Sequence, residues 1–142
     1  TGLTYAITIG SVLGTLMFLN VWLIIWPNQK IVIASANLVA EGNEALPEAA
    51  GAAPKAALAS RTNTLFSAPM LFMMFASGHL SLGSNTMLAA ASGASIAAVL
   101  LIIILLEINA IFGKQGPLTS VSGVIHCGLG LTAVFYLLMA LL

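Results

Sequence analysis

Four apolar stretches of bilayer-crossing length hold a single charged residue between them, and that scarcity of charge decides what this chain can fold into. They run from about Tyr5 to Trp26, Leu65 to Leu82, Thr86 to Phe112 and Leu118 to Leu142, and the one charge is Glu107. A helix needs about 20 residues to cross ~30 Å of hydrocarbon, so each stretch predicts a transmembrane helix. Charged residues make up 6% of the whole chain, against about 25% in an ordinary soluble domain. So few charges cannot solvate a globular surface. The expected fold is an all-α membrane protein, a four-helix transmembrane bundle running up-down-up-down as one domain over residues 1–142.

The connections are unequal. Gly83-Ser84-Asn85 predicts a tight turn between the second and third helices, and Gly113-Lys114-Gln115-Gly116-Pro117 joins the third to the fourth. Short loops make antiparallel neighbours. The Ala-rich loop over residues 27–64 is the only sizeable segment outside the membrane. Its Glu41, Glu44, Glu48, Pro47, Pro54, Gly42 and Gly51 predict short surface helices with breaks. The first apolar segment has no basic flank and no small-residue cleavage site, so it reads as a retained helix, not a signal peptide.

Orientation follows from the lysines and arginines. Lys30, Lys55 and Arg61 lie in the first loop and Lys114 in the third, all on one side. The positive-inside rule makes that side cytoplasmic and puts both termini in the periplasm of a bacterial inner membrane. Trp22 and Trp26 fit an aromatic belt at the cytoplasmic interface. Formal net charge is zero, which leaves no basic patch for nucleic acid. The single cysteine, Cys127, excludes an intrachain disulfide and multi-cysteine metal motifs. Small residues let helix backbones approach closely in lipid. Gly10 and Gly14 in the first helix, and Gly93 and Ala97 in the third, are the packing candidates, within the bundle or against another subunit.

Polar groups inside a bilayer are costly and read as functional by default. Glu107 and His126 lie at similar depths on the two arms of an antiparallel hairpin, with Asn20 and Asn109 near the same level. A buried cluster of Asn20, Glu107, Asn109 and His126 is expected, with Glu107 protonated or paired and His126 its neighbour. Such a cluster could be a proton relay, a quinone site, part of a ligand pocket or a hydrogen-bonded staple. His79 falls near the opposite end of the second helix. Two histidines on different helices suggest bis-histidine haem b, but their depths differ too much for one iron; His79 instead suits a ligand shared with a partner or an interfacial hydrogen bond. Met70, Met73 and Met74 beside Phe72 and Phe75 read as packing in preference to a copper site. Pro69 should kink the second helix. No metal site and no catalytic residue are assigned.

Two segments are less generic. One is Asn20-Val21-Trp22-Leu23-Ile24-Ile25-Trp26-Pro27-Asn28-Gln29-Lys30. The other is Ala59-Ser60-Arg61-Thr62-Asn63-Thr64-Leu65-Phe66-Ser67-Ala68-Pro69, followed by His79. Together they resemble the membrane domain of the bacterial cytochrome-c-tailed urate hydroxylases, where N-V-W-x-x-I-W-P-x-Q-K ends one helix and A-S-R-x-N-T-x-x-S-x-P starts the next. The resemblance covers roughly residues 14–82. It implies a short four-helix relative without the cytochrome c domain, in which Trp22, Trp26, Lys30, Arg61 and Asn63 anchor the loop and the membrane interface. The functional expectation is a small accessory or structural subunit, held in lipid beside other integral subunits of an oxidoreductase or respiratory assembly. The alternatives are a redox protein binding haem b or quinone, and a small transporter using Glu107 and His126.

Overall fold

The computed structural model describes residues 2–79 and 91–142, and all regular structure among them is helical. Helix α1 (Gly2–Leu19) continues through a π-helical segment (Asn20–Ile25) into α2 (Trp26–Ala40). After a short turn come α3 (Ala49–His79), α4 (Gly93–Phe112), a 3-10 turn (Gly116–Thr119) and α5 (Val121–Leu141). Counting the first three segments as one rod gives four helices. The rod, α4 and α5 are each long and apolar enough to cross a membrane.

The large difference from the sequence reading lies at residues 27–64, expected as a loop. Here the first helix runs on past Trp26-Pro27 to Ala40, and the next one begins at Ala49. At 1.5 Å per residue the first rod is about 58 Å long, close to twice the hydrocarbon thickness. Its α2 half therefore pairs with the start of α3 in a helical hairpin projecting from the bundle. Alanine is the best helix former, which explains why Ala-rich chain with few breakers stays helical. A Schellman motif makes the bend: the Asn43 N–H donates to the Leu38 carbonyl at 2.9 Å and the Gly42 N–H to Val39 at 3.0 Å, with Gly42 at φ +84°, a conformation glycine adopts without a Cβ penalty. The buried Ser35 hydroxyl accepts from the Leu46 N–H at 3.0 Å and fastens the turn to α2.

Other boundaries also shift. The third helix was expected from Thr86, but Ser92 caps α4 in a reciprocal box with Ser95 and starts it at Gly93. The fourth was expected from Leu118; the 3-10 turn intervenes, and Ser120 caps α5 by accepting from the Gly123 N–H. The expected turn at Gly83-Ser84-Asn85, the end of the second helix beyond His79 and residues 86–90 lie outside the described residues.

α3 runs through the centre of the bundle and touches α1, α4 and α5. Ile9, Leu13, Phe66, Met73, Val99, Ile103, Phe135 and Met139 form its core, and Phe72 meets Tyr136 edge-on at 5.9 Å. Phe18, Leu71, Leu101, Ile104, Leu129 and Leu137 face outward, as expected where lipid is the solvent. Close approach follows the glycines of α1. A Cβ at Gly10 would lie 2.7 Å from Met74 Cγ and 3.2 Å from the Met74 backbone nitrogen, and one at Gly14 would lie 3.5 Å from Met70 Sδ. The methionines are thus packing groups. Pro69 deprives the Leu65 carbonyl of its helical donor, and that oxygen faces Gly128 of α5, 3.2 Å from where a Cβ would stand. The nearby Ser67 hydroxyl donates to the Thr64 carbonyl at 2.7 Å.

These distances separate two neighbouring glycines. Gly10→Val is expected to destabilise the bundle by about 1–3 kcal/mol through overpacking, while Gly14→Ala changes little. Thermal unfolding in detergent checks this; equal melting temperatures for the two variants would contradict the α1–α3 packing.

Candidate functional site

The polar centre of the bundle lies where α1 passes into its π segment. Pro27 cannot donate to the carbonyl of Leu23, and its ring crowds the preceding turn. The helix accommodates it by widening: the Trp26 N–H reaches back five residues to the Val21 carbonyl, and the Asn28 side chain donates to the Ile24 carbonyl at 2.7 Å. Single π turns of this kind recur at functional positions. Here the first residue of the wide turn is Asn20, only 1% exposed.

Asn20 uses both hydrogens of its side-chain amide. Nδ2 donates to Asn63 Oδ1 of α3 at 3.0 Å and to Glu107 Oε2 of α4 at 3.2 Å. Asn63 in turn donates from Nδ2 to the Met17 carbonyl at 2.9 Å, so three helices are tied through one amide pair and a carboxyl group. The carboxyl oxygen can accept from Asn20 whether or not Glu107 is ionised. Beneath this cluster the buried Thr62 hydroxyl donates to the Leu58 carbonyl at 3.0 Å. Ser60 and Thr62, the polar residues just before the predicted start of the second helix, are interior to α3.

The expected cluster of four is brought together only in part. Asn20 and Glu107 meet. Asn109 turns away and donates to the Lys114 carbonyl at 3.3 Å, folding its side chain where any Cβ at Gly113 would have to go. His126 lies on the exposed side of α5, where its Nδ1 donates to the Ser122 carbonyl at 2.7 Å, with Ser122 Oγ at 3.2 Å. Its depth agrees with that of Glu107, but its direction around the helix does not. The cluster's further member is Asn63, which the sequence places in the loop before Leu65 but which lies well inside α3, a helix that begins at Ala49.

His79 is exposed near the far end of α3, stacked on Phe75 at 4.3 Å with Nδ1 3.3 Å from the Phe75 carbonyl. Gly128 packs at the level of Leu65, so the two imidazoles stand roughly 20 Å apart along the bundle, at 1.5 Å per helical residue. One iron cannot take both from a single chain. In each histidine Nδ1 is engaged by a carbonyl, which leaves Nε2 as the nitrogen free to ligate. No group of three or more His, Cys, Asp or Glu suited to a metal ion occurs among the described residues.

The remaining anchors are at the same end as the hairpin. Trp22 and Trp26 are exposed, and Lys30 Nζ sits 6.0 Å from the Trp26 ring centre. Arg61 Nη1 donates to the Leu118 carbonyl at 3.1 Å and so clips α3 to the turn before α5. Gly93 and Ala97, expected in helix contacts, face outward on α4, and nothing lies within 4 Å of a Cβ placed at Gly93.

The fold and this cluster define a multi-pass helical membrane protein knotted by buried amides and one carboxyl group. The chain belongs to the urate oxidase N-terminal family, whose model matches residues 2–139. The match extends well past the two helices on which the resemblance rested and takes in α4 and α5. No curated protein and no solved structure matches the chain.

If the amide pair ties α1, α3 and α4, Asn20 and Glu107 must be energetically coupled. A double-mutant cycle of Asn20→Ala and Glu107→Ala, read by unfolding in detergent, should give about 0.6 kcal/mol and up to about 1.7 kcal/mol, the range of intramembrane hydrogen bonds. Glu107→Ala and His126→Ala should be additive. The opposite pattern would restore the Glu107–His126 pair and refute this geometry.

Proposed function

We propose that this chain is a non-catalytic membrane subunit of a larger bacterial inner-membrane assembly of the oxidoreductase or respiratory kind. The observation that carries the reading is the outward face of α5, where Ser122, His126, Gly130 and Ala133 are all exposed. An imidazole and a hydroxyl turned out of a membrane helix find few partners in hydrocarbon, and such groups are retained where another protein group meets them. Gly130 has nothing within 4 Å of a Cβ position, and small residues beside the histidine allow a second helix to come close. Gly93 and Ala97 offer a similar approach on α4. The family's description fits an oxidoreductase context, and the Asn20–Asn63–Glu107 knot serves as a staple that holds the subunit's shape. With Lys30, Lys55, Arg61 and Lys114 on the hairpin side, the positive-inside rule favours a cytoplasmic hairpin and periplasmic termini.

A second reading has one observation in its favour. His126 holds Nδ1 on a backbone carbonyl, as metal-ligating histidines commonly do, and offers Nε2 outward. That suits a haem b whose second ligand comes from a partner.

Mild-detergent extraction distinguishes the two. The subunit reading expects co-extraction with other integral proteins, a featureless visible spectrum, and weakened association in Gly130→Leu with the fold intact. Stoichiometric haem that is lost in His126→Leu, with the chain purified either alone or with the partner that supplies the second ligand, would replace it with the redox reading. The orientation is checked separately with Glu44→Cys in a Cys127→Ala background. An impermeant maleimide should label it only after the cells are permeabilised; labelling in intact cells would reverse the topology.

A further inference from the structure

A groove of about 510 Å³ opens between α4 and α5, with Leu65 of α3 at its back and Leu106, Leu131 and Val134 along its walls. Its polar lining is confined to one end, where Asn109, Lys114 and Gln115 stand at the turn joining the two helices. The volume falls within the ~300–1,000 Å³ of ligand sites. A ligand polar at one end and hydrocarbon over the rest matches this division, whereas a water-soluble one would bury its polar groups against leucine and valine.

Charge at the mouth narrows the class. Lys114 is exposed there, and Arg61 is held at the same turn by its hydrogen bond to the Leu118 carbonyl, Leu118 itself lining the groove. Lys114 is thus the cationic side chain that lines the groove end, and Arg61 adds positive charge at the turn that forms it. The nearest carboxyl group along α4, Glu107, is bonded to Asn20 on another face of that helix. Glu41, Glu44 and Glu48 belong to the hairpin tip. We propose that this groove binds one acyl chain of an anionic phospholipid, with the phosphate seated at Lys114, the cation that lines its mouth. Basic pockets between membrane helices recognise lipid headgroups in this way. A quinone would fill the same apolar walls but carries no charge for Lys114 to meet. The proposal is independent of which protein, if any, covers α5.

Native mass spectrometry of the full chain in detergent tests it, with phosphatidylglycerol and phosphatidylcholine of identical acyl chains as probes. Phosphatidylglycerol should be retained at one per chain and in preference to phosphatidylcholine. Lys114→Gln should reduce that preference about fivefold, and Lys114→Arg should keep it. Leu131→Trp, which fills the groove and leaves the cations alone, should weaken both lipids. Equal retention of the two lipids by the unaltered chain would overturn the proposal. So would full displacement by millimolar inorganic phosphate, which would make this a phosphate site, or displacement by a short-chain ubiquinone, which would make it a quinone site. Helical circular dichroism of each variant separates lost binding from lost fold.

Discussion

Two N–H groups on one amide set the geometry of this bundle. Asn20 sits in a low-dielectric interior where an unsatisfied polar group costs several kcal/mol, so its hydrogens must find acceptors, and the acceptors lie on two different helices. Asn63 then passes the constraint back to the Met17 carbonyl on the first helix. Lipid gives helices no hydrophobic reason to associate. Close contacts at Gly10, Gly14 and Gly128 supply van der Waals packing, while the amide pair specifies which faces of α1, α3 and α4 meet.

Pro27 contributes to the same constraint at a distance. Its missing donor is absorbed by a wide turn that begins at Asn20, so the first helix need not stop at the membrane surface. Continuity past that point turns a supposed loop into a helical hairpin standing on the bundle, with the Trp22 and Trp26 rings and the Lys30 ammonium around its base. The two segments that carry the resemblance therefore supply the wide turn, the Asn20–Asn63 amide pair of the polar centre and the interfacial aromatic and basic side chains. This gives a physical reason for its polar and aromatic letters, which hydropathy alone does not demand.

Hydropathy made the four-helix architecture legible, because the spacing of charges in a membrane chain reports depth directly. Depth also brought Asn20 and Glu107 together on paper. Direction around each helix was not legible. Nearly every face of α4 and α5 is apolar, so no amphipathic pattern tells inside from outside, and His126 was placed in the core when it points away from it. The helix boundaries were not legible for a different reason: Trp26-Pro27 carries a strong stop signal, and no local pattern announces the π turn that lets the helix continue through it. Starting α3 too late then hid Asn63, whose partner could be recognised only once residues 49–64 were known to be helical.

In the reading proposed for this member of the urate oxidase N-terminal family, the polar knot is structural, and the outward-facing histidine and the groove beside Lys114 are where other molecules would meet the chain. That division stands or falls with the contact between Asn20 and Glu107. Solid-state NMR of the full chain in bilayers, with asparagine side-chain nitrogens and glutamate carboxyl carbons labelled, measures it directly. A through-space cross-peak between the Asn20 amide nitrogen and the Glu107 carboxyl carbon, identified by its loss in Glu107→Gln, is the predicted result. A Glu107 carboxyl in contact with the His126 ring, and not with Asn20, would contradict the account.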